Sequence, residues 1–374
     1  MTAAGEGRRL RLLHVFDRFD ADARGRRRAA LINHFGPALT HAVAVGDPAV
    51  TAALDHISGP IPTLQIELPG LGGGYGPLRL QGLAKAMRGN DLILTYGAGA
   101  IGAVLAHSLF GPRLNLPQLV HHEDGDDAIG AGGSATRMLA LSRAQALVVE
   151  SPAMERIALE RWRQPRGKVH LIPPGVDTAA TIAKPRRDVL PRVIKRPGEL
   201  FLGARAALGA DAMTLLPLLA ALPPEWHLVI LGEGPGREAL LAEAVRLELG
   251  DRLHLPGAIA GSARILGLFD LYAATGGEDR LALIEAMAAG LPIVGVAGEG
   301  GAATVGEANQ PFLPGPDDRP ASVAAAATLA RDRNLRAAVA AENRTRARTL
   351  FDQRTAFERH AALYARVLRR ASFP

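Results

Sequence analysis

The chain contains no cysteine. Disulfides, thiolate metal sites and a cysteine nucleophile are thereby excluded, and the reducing cytosol is the compartment easiest to reconcile with the sequence. Aromatic residues make up only 4% of the 374 positions. Their scarcity in the basic segments argues against single-stranded nucleic acid, whose bases stack on aromatic rings, and no nucleic-acid partner is expected. Apolar runs are broken by Gly, Pro or charge well short of the roughly 18 residues a spanning helix needs. The arginine-bearing N-terminus leads into a strand-like segment and not into a signal-peptide core. A cytoplasmic protein is expected, with at most a peripheral place at the inner face of a membrane. No G-x-S-x-G elbow occurs, and the loop PGLGGGYG, Pro69 to Gly76, lacks the lysine and following Ser or Thr of a triphosphate-binding loop.

What is present describes a folded protein of two to three domains, at roughly 150 residues each. Apolar residues make 48% and charged residues 21%, and Lys plus Arg exceed Asp plus Glu by 43 − 37 = 6, almost all of it arginine. Such a surface favours anions such as phosphates, nucleotide diphosphates or acidic lipid headgroups. Short β-branched runs alternate with helical stretches, the pattern of strands buried on both faces of a parallel sheet. Strands are expected at Leu12 to Phe16, Ala42 to Val45, Thr63 to Leu68, Leu92 to Tyr96, Gln118 to His121, Ala146 to Val149 and Val169 to Ile172. After the basic, Pro-containing passage Lys184 to Arg196 the alternation restarts at Leu200 to Gly203, His227 to Leu231, Leu253 to Leu255, Leu271 to Ala274 and Ile293 to Val296. Two doubly wound sheets follow, with ligands expected beyond the carboxyl ends of the strands. The stretch from about Arg331 to Arg370 reads as two amphipathic helices closing the fold.

Three short motifs, IPPGVD ending at Asp177, GEGP from Gly232 and EAMAAGLPIV from Glu285, stand in an order and spacing that resemble the bacterial glycosyltransferases of the family 4 type. The likeness runs from LLHVFD to the C-terminal helices. It implies the α/β GT-B architecture, two Rossmann-like domains facing across a cleft. The implied division is an acceptor domain over 1–183, a linker over 184–196, a nucleotide-sugar domain over 197–350 and a closing helix over 351–374, whose crossing back to the first domain is left open. It also implies a retaining, metal-independent hexosyl transfer from a nucleoside-diphosphate sugar to a glycan or lipid-linked acceptor in bacterial surface polysaccharide assembly. No cofactor is expected beyond that donor.

On the residues themselves, Gly232, Gly234 and Gly236 lie between a strand and a helix-like segment, where backbone can approach a ligand and a helix N-terminus can face anions. The resemblance places Glu285 on the ribose and Arg205 on the diphosphate, so the expected donor-binding set is Arg205, Gly232, Glu233, Gly234 and Glu285. Expected catalytic residues are His122, Asp124 and Glu278. Strand alternation sets His121 and Glu123 on one side, and His122 and Asp124 on the other, taken as the cleft side. An HHED metal site is the weaker alternative there, because the helical i, i+4 spacing of zinc motifs is missing.

Four positions depart from the family pattern. The paired glutamates usually have seven residues between them, which puts Gly277 at the first place, whereas Glu278 leaves six. The lysine expected some five residues after Arg205 is replaced within the neutral run ending at Ala210. A leaving diphosphate needs positive charge there. The first loop has Asp20, Asp22 and Gly25 where a Gly-Gly pair is usual, and two carboxylates would repel a phosphate unless Arg24, Arg26 or Arg27 turns inward. Asp124-Gly125 stands where the family often has His-Gly. RGRRR, Arg24 to Arg28, reads equally as an exposed helix face or as a site for anionic lipid or an acceptor phosphate. A catalytically degenerate binding or scaffolding subunit is therefore the rival reading.

Overall fold

The computed structural model describes residues 8–68, 71, 74–123, 133–179, 185–259, 261–276, 280–296, 298 and 300–374. Seven strands form a first sheet: β1 Arg11–Phe16, β2 Thr40–Val45, β3 Thr63–Gln65, β4 Leu92–Tyr96, β5 Gln118–Glu123, β6 Ala146–Val149 and β7 Val169–Leu171. Five more form a second: β8 Leu200–Arg205, β9 Trp226–Leu231, β10 Leu253–His254, β11 Leu271–Thr275 and β12 Ile293–Val296. Every expected strand is present. The largest difference is β3, which stops at Gln65 because it is an edge strand paired only with β2.

All pairings are parallel, in the orders β3-β2-β1-β4-β5-β6-β7 and β10-β9-β8-β11-β12. Each order reverses direction once, between β1 and β4 and between β8 and β11. The crevice at such a switch point is where doubly wound sheets bind ligands. One face of the first sheet packs on helices 77–86, 101–114, 134–140 and 152–160, and the other on helices 23–35 and 353–367. The second sheet is covered by helices that include 216–221, 237–246 and 319–331.

The chain divides into two compact units, Met1–Pro174 with Thr355–Pro374, and Gly175–Arg354. The basic passage 184–196 belongs to the second unit. Leu190 and Val193 are buried and bridge one another, and Lys195 Nζ lies 2.6 Å from Asp270, whose carboxylate also accepts the Phe201 amide at 2.7 Å. An Asp-capped helix, 333–350, ends the second unit, and the following helix 353–367 packs most of its length on the first.

Candidate functional site

In the second unit the switch point lies between the ends of β8 and β11, beside helix 280–288, which follows β11. Arg205 ends β8, and its Nη1 lies 2.5 Å from Glu285 Oε2 on that helix. The remaining guanidinium donors, Nε and Nη2, are buried without a partner. A buried N–H left unpaired costs about 1–3 kcal/mol, more on a charged group. A guanidinium held by a carboxylate at Nη1 and with two donors unpaired has the donor geometry for a bidentate phosphate or diphosphate oxygen pair.

The glycines beside it have a different use from the one expected. A Cβ at Gly232 would collide with the Ala206 carbonyl, and one at Gly234 or Gly236 would stand 2.5 or 2.8 Å from the Leu208 carbonyl oxygen. The close backbone approach is made by the chain's own loop after β8, locked by Leu208 N to Glu233 O at 3.1 Å and Gly236 N to Leu208 O at 2.8 Å. Gly232 and Gly234 therefore let the loop after β9 pack directly on the loop that follows Arg205. Glu233 is exposed, with Oε2 3.8 Å from Arg237. Ala210, at the place of the missing lysine, lines an apolar cavity of about 130 Å³ with Met213, Pro217 and Val296. Arg205 has no second cation from that position.

In the first unit a cavity of about 350 Å³ opens at the β1/β4 switch point. Its walls include Asp17, Asp20, Asp22, Arg24, Arg28 and Tyr96. Asp22 caps helix 23–35, accepting the Gly25 amide at 2.7 Å, and a Cβ at Gly25 would collide with the Asp20 carbonyl. The loop is thus folded back on its own helix N-terminus. Of the RGRRR arginines, Arg26 returns to the Ala21 carbonyl and Arg27 reaches Glu150 at 3.3 Å. Arg28 is buried, with Nη2 3.2 Å from Glu150 and its guanidinium 4.8 Å from the Tyr96 ring centre. The inward arginines are therefore Arg24 and Arg28, and the motif is not a continuous exposed basic face. Asp17 and Tyr96 were not singled out from the sequence. Their signal was position, directly after β1 and at the end of β4, the two strands that flank the reversal.

The expectation that His122 faces a cleft is corrected. Its ring is fully buried, with Nε2 2.8 Å from Tyr364 Oη and Nδ1 3.2 Å from the Thr95 carbonyl. It belongs to a polar seam across the sheet. His41 Nδ1 lies 3.0 Å from His14 Nε2, His14 Nδ1 lies 3.0 Å from Tyr96 Oη, and Tyr96 in turn bonds Tyr364. Burial, above all, holds His14 and His122 well below the usual histidine range and puts His41 at about 4 and His360 at about 3. These rings are neutral at pH 7. On the opposite side of β5, His121 Nδ1 is 2.8 Å from Thr95 Oγ1 and the buried Glu123 is 3.3 Å from Arg137. Asp124, Gly277 and Glu278 lie outside the described residues.

The family model described as glycosyl transferases group 1 matches residues 210–332. The chain has the GT-B fold. Among similar solved structures, Anabaena Alr3699/HepE in complex with UDP is 19% identical, covering 96% of this chain and 100% of that one at a TM-score of 0.74. A glycosyltransferase from Rickettsia africae is 12% identical over 96% and 99%, TM-score 0.73. WaaG, a glycosyltransferase involved in lipopolysaccharide biosynthesis, is 16% identical over 94% and 98%, TM-score 0.61. No curated protein matches the sequence. The second-unit switch point holds Arg205 and Glu285 together, Glu285 inside the matched residues and Arg205 just before them, while the first-unit switch point carries aspartates and arginines in mixture.

Proposed function

We propose that this GT-B protein is a glycosyltransferase that moves a hexose from a nucleoside-diphosphate donor to a hydroxyl of a glycan or lipid-linked acceptor in bacterial surface polysaccharide assembly. The observation that carries the reading is Arg205, half-buried and fixed by Glu285, with Nε and Nη2 buried and unpaired at the switch point. The acceptor oxygen bonds to the anomeric carbon while the bond from that carbon to the diphosphate oxygen breaks. The open edge of Arg205 stabilises the charge that develops on the leaving diphosphate. The acceptor attacks on the face from which the diphosphate departs, which retains configuration, and its proton passes to that diphosphate, so no strong protein base is needed and Arg205 takes the place of a metal. UDP-sugars are the first donors to try, since the HepE structures hold UDP and UDP-glucose.

A ligand that binds only the folded state raises its apparent stability. Thermal shifts with UDP, GDP, ADP and their sugars, with and without divalent metal, test the reading. One base is expected to stabilise the protein, indifferently to metal, and the shift is expected to vanish in Glu285→Ala. No shift at millimolar ligand with a folded sample overturns it. The second reading, a binding or scaffolding subunit without donor chemistry, is favoured by Ala210, whose place in an apolar wall leaves Arg205 without a second cation from that position. It requires that no nucleotide sugar be turned over or hydrolysed.

A further inference from the structure

Three aspartates and three arginines line the first-unit cavity: Asp17, Asp20, Asp22, Arg18, Arg24 and Arg28. All but Asp17 are engaged within the protein. Asp22 accepts the Gly25 amide, and Asp20 accepts the Ala21 amide at 2.8 Å and faces Arg18 at 3.7 Å. Arg28 is held by Glu150, and Arg24 is not free either. The Asp17 carboxylate makes no hydrogen bond and no ion pair among the described residues. It is the one charge of the cavity wall that the chain leaves unanswered.

Asp17 is also held in place. It follows β1 directly and is half-buried, and its main-chain carbonyl accepts the Asp47 amide at 2.9 Å. A Cβ at Gly99, where the chain turns into helix 101–114, would stand 2.4 Å from its carboxyl carbon and from Oδ2. The glycine leaves the room that the carboxylate occupies. Phe16, Phe19 and Tyr96 supply the apolar part of the wall, stacked with ring centres 4.2 and 4.5 Å apart. Aromatic walls with a few placed polar groups are the usual make-up of a small-molecule pocket, and the cavity lies at the small end of their range of about 300–1,000 Å³, room for a single sugar ring. An ionised carboxylate only accepts hydrogen bonds, on two oxygens. What completes Asp17 must therefore donate, and a pair of adjacent hydroxyls meets both oxygens at once. A phosphate or second carboxylate brings no donor and sets a like charge beside it, while the arginines that would offset that charge already have partners.

We propose that Asp17 determines which acceptor is taken: the cavity holds one uncharged pyranose through adjacent hydroxyls on the Asp17 carboxylate and turns away sugars that carry a phosphate or a carboxylate. The inference rests on the transferase reading only in calling that sugar the acceptor. The selection itself needs no nucleotide.

The test is a ligand-observed NMR titration of the full chain, without nucleotide, using the methyl glycosides of glucose, galactose and mannose and the uronic acids and phosphate esters of the same sugars. A methyl glycoside is expected to bind at millimolar concentration, on the order of tenfold more tightly than its anionic counterparts. Asp17→Asn should weaken that glycoside on the order of tenfold and abolish its advantage over the anions. Gly99→Ala, whose Cβ displaces the carboxylate, should do the same, whereas Asp251→Asn, at an exposed position of the second unit, should behave as the parent does. Thermal melting checks that each variant folds, and Asp17→Asn carries the test alone if Gly99→Ala does not. Failure of every glycoside to bind, anions bound as tightly as neutral sugars, or an unchanged preference in folded Asp17→Asn overturns the proposal. The nucleotide-induced thermal shift keeps the two readings apart. A shift without sugar selection removes this proposal and leaves the transferase, and sugar selection without a shift upholds the role of Asp17 and removes the transferase.

Discussion

The two switch points spend their charges differently. In the first unit the arginines and acids are largely committed to each other: Arg27 and Arg28 to Glu150, Asp22 to its own helix, Asp20 to Ala21 and Arg18. Behind them four buried histidines run into two tyrosines. In the second unit Arg205 is clamped on one edge and left open on the other. A surface already neutralised by its own partners selects weakly for an ion, whereas an orphaned buried guanidinium is stabilised by the anion that completes it. The same tight loop device serves both ends: Gly25 lies under the Asp20 carbonyl and Gly232 under the Ala206 carbonyl. Glycine at a strand-to-helix turn here reports backbone meeting backbone, and the neighbouring side chains decide what is bound.

The comparison breaks most visibly at Arg205. Arg205→Ala is expected to lower kcat/KM by about 10²–10³ and to remove the nucleotide-induced thermal shift, while Arg28→Ala in the first unit leaves that shift in place. Calorimetry and initial rates decide between them. Equal losses would mean that both units hold the diphosphate.

Acid should separate the units next. His14, His41, His122 and His360 have folded-state values below the usual 6.5, so the unfolded chain takes up protons first. Their contribution is full above pH 6.5 and declines as pH falls, down to about 4 for His41 and about 3 for His360. The loss is about 1.4 kcal/mol per pH unit for each ring that must stay neutral. In the second unit His227 and His254 are depressed in the same direction but less deeply buried. Each unit holds one of the two tryptophans, Trp162 in the first and Trp226 in the second. Acid titration of Trp226→Phe and Trp162→Phe by fluorescence should show the first unit opening at the higher pH.

Smaller effects sharpen the loop comparison. Gly25→Ala and Gly232→Ala should each cost about 1–3 kcal/mol in urea unfolding, from overpacking against a carbonyl, while Gly167→Ala, with nothing near its Cβ, should be close to neutral. Smallest is Tyr364→Phe, which leaves His122 Nε2 without its hydroxyl and should cost about 1–2 kcal/mol. The rate per folded molecule should be unchanged, and a rate loss there would return His122 to the reaction.

Strands were legible because a parallel strand buried on both faces is a short apolar run, and LILTY at Leu92–Tyr96 and ALVV at Ala146–Val149 are such runs, too short for a helix and rich in β-branched residues. The α/β class and the pairing of two such sheets followed from that pattern alone. Arg205 and Glu285 were found through motif order, and the structure shows them in contact. His122 was misjudged because a polar residue near a strand end has two indistinguishable meanings in one dimension, a group facing a ligand or a group satisfied by a neighbour. The neighbour, Tyr364, comes from a helix 242 residues further along.

By itself the sequence determined the kind of fold, the position of nearly every strand and the residue types available at each strand end, since these depend on local periodicity and on which side chains tolerate burial. Only the tertiary structure decided which arginine is left open, which histidines are sealed, and that Gly232 meets Ala206. Hydrogen bonds and ion pairs reach only a few ångströms, and residues come within that reach only after the chain has packed.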